Sequence, residues 1–238
     1  MWHAFGDESS FLNGLTTYAI VGVWSENQNV TEDAFRQLKL SFGGKADSRI
    51  HCRELFGIHA RAKSDWAHLR DQDVGRFLLS LTKLADQFQL RRNVGFVDGS
   101  RAPKSLLGVG SIESKCELSE KHLCTLAFVA AAAQVFQQLG PDKVKYWIDP
   151  DKTKIDWWGQ RRQAGLTRTL SLIDFDFAKV TPELDKPTDR IFLDLADVLA
   201  YSAGRARSTI EPDGTELFTE LMSIWAPGTA EYNFVGAD

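Results

Sequence analysis

The sequence predicts a single domain of the α/β class. Strand-like segments dominate the first part of the chain, strands and helices alternate in the later part, and no repeat or Pro/Ser-rich linker separates them. The 238 residues, 43% hydrophobic and 25% charged, suffice for one sizeable core and match ordinary globular composition. We therefore expect one domain over 1–238, with insertions.

The N-terminal segment predicts a β-hairpin. WHAF leads into Asp7, and the turn pair Asn13-Gly14 separates this strand from TTYAIVGVW at 16–24. Asp7 and Glu8 are then expected at the end of the first strand. Because successive side chains of a strand alternate between faces, only one of the two carboxylates can face a given site.

Helical periodicity follows the hairpin. One helix is predicted from Thr31 to the glycine pair Gly43-Gly44, and a second over 72–90, where apolar residues recur at helical spacing. The segment 49–59 between them has mixed periodicity. The sequence therefore leaves the secondary structure of this segment open.

Strands and helices alternate in the second half. The predicted elements are a strand over 91–99, a loop over 98–112, a helix from the N-cap candidate Ser119 to Gly140-Pro141, a strand VKYWID, a basic helix over 156–168, a strand over 169–180, and an amphipathic helix over 189–207 that follows Pro182 and Pro187. The helix after Ser119 is apolar on nearly all sides, so we expect it to be buried against a sheet.

Charge and cysteine content narrow the classes of function. A net charge of -4 and a pI near 5.8 argue against a broad basic surface, so a nucleic acid would need a local basic patch. The three cysteines Cys52, Cys116 and Cys124 are odd in number and lack CxxC spacing, which argues against a disulfide framework or a zinc site. We expect a protein of the reducing cytoplasm, without a membrane segment.

Four carboxylates have the distribution that a two-metal phosphodiesterase requires. They are Asp7 after the first apolar run, Glu54 in RIHCREL, Asp149 at the end of VKYWID, and Asp197 in FLDLADVLAY. Mg²⁺ prefers several hard oxygen ligands from different elements. If the strands that carry Asp7 and Asp149 are neighbours, a helix bearing Asp197 could complete the cluster, and bound cations would offset the repulsion.

Each carboxylate also has a structural interpretation. Asp7 could initiate a turn after its strand, and Asp149 precedes Pro150, which also suits a turn. Asp197 shares a helix face with Asp194 at i,i+3 spacing, and this pair could form a solvated edge. Glu54 could be a surface acid or a helix cap. We consider Glu8 and Asp194 as supporting acids of the site.

His51 lies three residues before Glu54 and is a candidate for proton transfer or for support of the site, although a lone histidine is more often structural. A rival motif overlaps the third acid. The run Asp149-Pro150-Asp151-Lys152-Thr153 matches the DxDxT of haloacid-dehalogenase-type phosphatases, but no GDxxxD signature follows it. A phosphatase is therefore the second catalytic alternative. Phosphate-loop, dinucleotide-binding and nucleophile-elbow motifs are absent.

Taken in order, FGDESS, RIHCRELF, VKYWIDPD and FLDLADVLAYSAGRAR resemble the bacterial domain-of-unknown-function family 3800 over nearly the whole chain. The resemblance implies a ribonuclease H-like fold, in which a central mixed sheet is flanked by helices on both faces. It also implies that Asp7, Glu54, Asp149 and Asp197 are the metal ligands and catalytic acids, with Mg²⁺ or Mn²⁺ as the cofactor. The family's glycine after Asp-Glu-Ser is Ser10 here, and the glutamine of its last motif is Asp194, which could add a ligand.

Local positive charge after Asp149 is the candidate for binding DNA or RNA. Lys152, Lys154, Arg161 and Arg162 lie near Trp157 and Trp158, a mixture that can neutralise phosphates and stack on bases. The alternative is that the two tryptophans pack a helix onto the sheet. We therefore expect a metal-dependent nuclease, with a non-catalytic module that binds nucleic acid or protein as the alternative from another class.

Overall fold

The computed structural model describes residues 1–12, 14–101, 120–140, 143–148, 191–207 and 215–232. Within these ranges, five strands form one mixed sheet in the order β4-β1-β2-β3-β5. The strands are β1 (Trp2–Ser10), β2 (Leu15–Trp24), β3 (Arg91–Asp98), β4 (Val144–Ile148) and β5 (Gly228–Tyr232). The helices are α1 (Gln28–Ser41), α2 (Cys52–Phe56), α3 (Ile58–Arg61), α4 (Asp71–Gln87), α5 (Glu120–Leu139), α6 (Ile191–Arg207) and α7 (Thr215–Trp225). The predicted α/β class is confirmed.

The predicted hairpin is confirmed, but its first strand is longer than expected. β1 and β2 pair antiparallel from Trp2 opposite Trp24 to Ser10 opposite Thr16, and Gly14 has the positive φ of 82° that suits a tight connection. Asn13 lies outside the described residues. Asp7 lies inside β1 opposite Ala19, so the interpretation of Asp7 as a turn-initiating residue is wrong.

Both edges of the sheet are formed by parallel pairs. β4 runs parallel to β1, and the last described pair joins Gly6 to Ile148. β3 pairs antiparallel with β2 and parallel with β5. The predicted strands 91–99 and VKYWID thus correspond to β3 and β4, whereas β5 was not predicted, because its short sequence GTAEY lacks the apolar alternation of a strand.

Alternate strand residues pack into two separate cores. On β2, Ala19 and Val21 belong to the core that contains α6, whereas Tyr18 and Ile20 belong to the core that contains α5. This alternation follows from the period of two residues in a strand. The α6 core also receives the apolar faces of α4 and α7, so it is the larger of the two.

The predicted helices that lie within the described residues differ from the predictions mainly at their ends, whereas α7 was not predicted. α1 begins at Gln28, three residues before Thr31, whose hydroxyl donates a hydrogen bond to the carbonyl of Asn27 at 2.8 Å. α4 and α6 correspond to the helices predicted over 72–90 and 189–207. The short helices α2 and α3 occupy the segment of mixed periodicity, because a helix of one turn is too short to display a repeat.

Several predicted elements lie outside the described residues. They are most of the loop over 98–112, the N-cap candidate Ser119, the basic helix over 156–168 and the strand over 169–180. A search of the described residues finds no helix with both the length and the apolar character that a membrane crossing requires.

Candidate functional site

Asp7 faces α6 from β1, the second strand of the sheet. Phe5 lies two residues before Asp7 on the same face of β1, and its ring stacks on Phe192 of α6 with the centroids 4.9 Å apart. Asp7 is only 6% exposed, and its Oδ1 accepts a hydrogen bond of 2.9 Å from the backbone N–H of Glu8. The strand therefore carries a buried carboxylate toward the α6 side.

The position of α6 along the sheet is fixed by a buried hydrogen bond. The hydroxyl of Thr17 on β2 donates to the carbonyl of Ala200 at 2.8 Å, and Thr17 lies opposite Ser9 on β1. Asp7 is the next residue along β1 on that face, and Asp197 lies three residues before Ala200 on α6. The packing of α6 thus brings Asp197 to the region of the sheet that carries Asp7.

Both carboxylates of α6 hold the segment that precedes α2. The backbone N–H of Ile50 donates to Oδ2 of Asp194 at 3.0 Å, and that of Cys52 donates to Oδ2 of Asp197 at 2.8 Å. Asp194 and Asp197 are 4% and 8% exposed, so the prediction that they could form a solvated edge is wrong. Their i,i+3 spacing matches two N–H groups that point the same way in an extended segment.

Asp194 also forms a buried ion pair that sequence reasoning missed. Nζ of Lys39 on α1 lies 3.5 Å from Oδ2 of Asp194, and both side chains are 4% exposed. Lys39 follows the buried Phe35 by four residues, so its place on the inner face of α1 was visible in the helical period. Burial raises the pKa of Asp194 to about 7, although Lys39, the Ile50 N–H and Arg49 oppose the shift.

A stability profile is expected to reveal this raised pKa. The folded-state pKa of Asp194 exceeds its ordinary value of 3.8, so its contribution to the free energy of unfolding is full below that value and is lost as the pH rises toward about 7. Asparagine does not titrate, so the Asp194→Asn variant does not undergo this pH-dependent loss of unfolding free energy. Urea unfolding should show the variant gaining on wild type between about pH 4 and about pH 7, by at most about 1.4 kcal/mol per pH unit.

Asp65→Asn is the matched control. Hydrogen bonds from Lys45 and Ser48 lower the pKa of Asp65, so its contribution to stability is present above pH 3.8 and is lost only at lower pH. The difference between Asp65→Asn and wild type should therefore stay level over the upper part of the same window. A level difference for Asp194→Asn would contradict a raised pKa at that residue.

The Cys52 thiol lies among three of the acids. Burial raises the pKa of Cys52 well above its ordinary value, and the charges of Asp197, Asp194 and Asp7 raise it further. One buried group therefore experiences carboxylates from both β1 and α6. Nε2 of His51 lies 4.0 Å from Oδ1 of Asp197, which places this histidine beside the same acid.

Glu54 and Glu8 are the other two candidate acids within the described residues. Glu54 lies on α2, partly exposed, two residues after the N–H that binds Asp197. Glu8 points to the α5 face, where its charge raises the pKa values of the buried Tyr18 and Tyr146 after the larger effect of burial. The hydroxyls of these two tyrosines are hydrogen-bonded to each other.

Part of the predicted site lies outside the described residues. This applies to Asp149 and to the substrate-binding candidates Lys152, Lys154, Arg161 and Arg162. Within the described ranges, no group of three or more His, Cys, Asp or Glu side chains is arranged to hold a metal ion. Asp7 and Asp197 nevertheless provide the hard oxygen donors that Mg²⁺ and Mn²⁺ prefer, so a metal there requires a further ligand.

The fold and this region define an α/β protein with a mixed five-stranded sheet and buried carboxylates between β1 and α6. Comparisons of the chain with protein-family models, curated proteins and solved structures found no match.

Proposed function

We propose that the protein is a ribonuclease H-like nuclease that hydrolyses phosphodiester bonds of DNA or RNA with Mg²⁺ or Mn²⁺. The observation that carries the proposal is the parallel pairing of β1 with β4 beneath α6. Its last described pair joins Gly6 to Ile148, and the residues that follow these two in the chain are Asp7 and Asp149. Asp7 of β1 and Asp197 of α6 thus come from contacting elements, and Asp149 is the residue that follows β4 in the sequence.

In this proposal, Asp7, Asp149 and Asp197 hold the cations, and Glu54 contributes from α2. Bringing buried carboxylates together is costly unless cations neutralise them, because like charges disfavour ionisation. The effect of Asp7, Asp194 and Asp197 on the pKa of one thiol supports such a concentration of charge. Lys39 offsets the negative charge of Asp194, the acid that we assign to a supporting position.

The protein's own groups would orient the site. The backbone N–H of Glu8 donates a hydrogen bond to one oxygen of Asp7, and the backbone N–H of Cys52 donates to one oxygen of Asp197. His51, beside Asp197, would orient this acid or transfer a proton during the reaction. When bound, the cations would polarise the scissile phosphate and lower the pKa of a water molecule.

The family resemblance supports the same proposal. The segments FGDESS, CRELF, VKYWI and FLDLAD lie in β1, α2, β4 and α6, so the described parts of the four motifs lie on separate elements of a mixed α/β fold. Membership of domain-of-unknown-function family 3800, a cytoplasmic location and phosphate contacts from Lys152, Lys154, Arg161 and Arg162 complete the proposal.

Calorimetric titration of Mn²⁺ tests the assignment of Asp7. Wild type should bind Mn²⁺ and cleave DNA or RNA, whereas Asp7→Asn should lower both by more than about 100-fold, because losing a direct ligand exceeds the effect of losing a supporting group. Glu8→Gln is the matched control, since it removes the neighbouring charge on the opposite face of β1. Wild type that binds no Mn²⁺ and cleaves no nucleic acid would refute the proposal.

Two further outcomes assign the alternatives. Nucleic-acid binding without cleavage would identify a non-catalytic module. Phosphatase activity that is lost in Asp149→Asn but kept in Asp7→Asn would identify the haloacid-dehalogenase-type reaction.

A further inference from the structure

Three partly buried aromatic side chains each follow a residue of the candidate site by four positions in the sequence. Phe11 follows Asp7, Phe56 follows Cys52, and Tyr201 follows Asp197. We call these three rings the aromatic shelf. Residues four apart share one face of a helix, so α2 and α6 each carry a polar group of the site and then an aromatic ring. Phe11 is the residue that directly follows the end of β1 at Ser10.

Tyr201 contacts both of the other rings. Phe56 and Tyr201 are stacked, with centroids 5.6 Å apart and planes inclined by 11°, and Phe11 lies 5.9 Å from Tyr201. The ring of Phe11 also covers Gly204, where a Cβ would come within 2.0 Å of it. Because a side chain at position 204 would displace Phe11, the glycine allows the hairpin end to approach α6.

A buried ring supports the shelf from below. Phe218 of α7 is 2% exposed and lies 5.2 Å from Phe56 and 5.7 Å from Tyr201. Phe218 packs α7 against α2 and α6, whereas the shelf residues above it remain partly exposed. The three shelf residues therefore pack against the core and keep part of their surface exposed.

Positive charge borders the shelf. Arg205 follows Tyr201 by one helical turn, and its guanidinium lies 5.4 Å from the centre of the Phe218 ring. Arg53 is exposed on α2. Burial raises the pKa of the Tyr201 hydroxyl, whereas the positive charges of Arg205 and Arg53 lower it, so both arginines lie near this ring. Guanidinium groups bind phosphates, and aromatic rings stack on bases, so this combination is complementary to a nucleotide strand with unpaired bases.

We infer that the aromatic shelf binds an unpaired base of a single-stranded nucleic acid, with Arg53 and Arg205 contacting the flanking phosphates. The inference rests on the proposed nuclease function and adds the strandedness of its substrate. Stacking requires an accessible base face, which a paired base inside a duplex does not offer. Tyr201 lies about one helical turn from Asp197. A single strand bound on the shelf would therefore pass close to the acids of the site.

Fluorescence anisotropy without divalent cations tests the shelf separately from cleavage. The probes are labelled oligothymidylate, oligouridylate, a duplex, and an oligomer with the same backbone but abasic sites. Wild type should prefer a base-bearing single strand to the abasic oligomer and to the duplex. Tyr201→Leu should weaken single-strand binding by about 5- to 100-fold and remove this preference, since the phosphate contacts remain.

Trp24→Leu is the matched control. Trp24 is 36% exposed and packs on Trp2 at the opposite end of the hairpin, so its removal also deletes a surface ring. This variant should bind like wild type. If Tyr201→Leu fails to show a cooperative thermal transition, Phe56→Leu provides the same comparison.

Equal binding of abasic and base-bearing oligomers by wild type would overturn the inference, as would equal losses in Tyr201→Leu and Trp24→Leu. Failure of the nuclease proposal is read independently, from Mn²⁺ titration and cleavage by wild type. A protein that cleaves but shows no shelf-dependent preference would retain the proposed function and lose this inference alone.

Discussion

The double variant Asp7→Asn/Asp197→Asn is expected to lose Mn²⁺ binding and metal-dependent cleavage, by more than about 100-fold in each. The same variant is expected to be more stable than wild type in the absence of metal. Both acids are buried, at 6% and 8% exposure, and both act electrostatically on the Cys52 thiol. Replacing two buried negative charges with amides removes repulsion that only cations offset in the wild-type protein.

The amide substitutions preserve the hydrogen bonds that these residues accept. Oδ1 of asparagine can accept the N–H of Glu8 at position 7 and the N–H of Cys52 at position 197, as the carboxylates do. We therefore expect α2 to keep its position in the variant, so that a loss of activity reports on the lost carboxylates. Urea unfolding in a chelator measures the first effect, and calorimetry with nuclease assays measures the second.

Asp33→Asn is the control for this experiment. Its side chain is 70% exposed on α1, where it pairs with Arg36. Asp33→Asn should leave Mn²⁺ binding and cleavage unchanged and alter the free energy of unfolding by less than about 1 kcal/mol. A double variant that is destabilised in the chelator and still binds Mn²⁺ would mean that Asp7 and Asp197 are structural acids.

The second large effect is expected at the contact between α5 and the sheet. A Cβ added to Gly95 would lie 2.0 Å from the carbonyl oxygen of Ala127 and 2.5 Å from the backbone nitrogen of Ala131. Both atoms belong to the α5 backbone, so no side-chain rotation can relieve the clash. Gly95→Ala should therefore separate α5 from β3 and lower the free energy of unfolding by about 3 kcal/mol or more.

Gly75→Ala is the matched control for this prediction. Gly75 lies inside α4, and a Cβ there would meet only Leu217, at the ordinary contact distance of 3.7 Å. This substitution should stabilise the protein by about 0.5–1 kcal/mol, because alanine is the better helix former. If urea unfolding shows that both substitutions change the free energy of unfolding in the same direction, the close packing of α5 at Gly95 is contradicted.

The elements that could be predicted are those with a local signal. The hairpin has a turn pair between two strand-like runs, and α4 and α6 have clear helical periods. β5 and α2 were missed because GTAEY and CRELF are five residues each, too short to display a period. The early start of α1 was missed because Gln28 carries no capping signal.

The candidate site divides in a similar way. Asp7, Asp194 and Asp197 were selected from their positions next to apolar residues, and the structure buries all three. Lys39 was not selected, because a lysine in an amphipathic helix normally extends to solvent, and only the approach of α6 pairs it with Asp194. The aromatic shelf was also missed, because Phe11, Phe56 and Tyr201 are distant in sequence and meet only in the folded chain.

The sequence by itself determined the α/β class, the hairpin and the long helices, because each depends on side chains within a few residues of one another. It also identified the acids that are most worth testing. Only the tertiary structure decided that β4 lies beside β1, that α6 covers Asp7, and that Ile50 and Cys52 bind the two acids of α6. These arrangements join residues more than a hundred positions apart, and burial and hydrogen bonding between distant segments select them rather than any local preference of the chain.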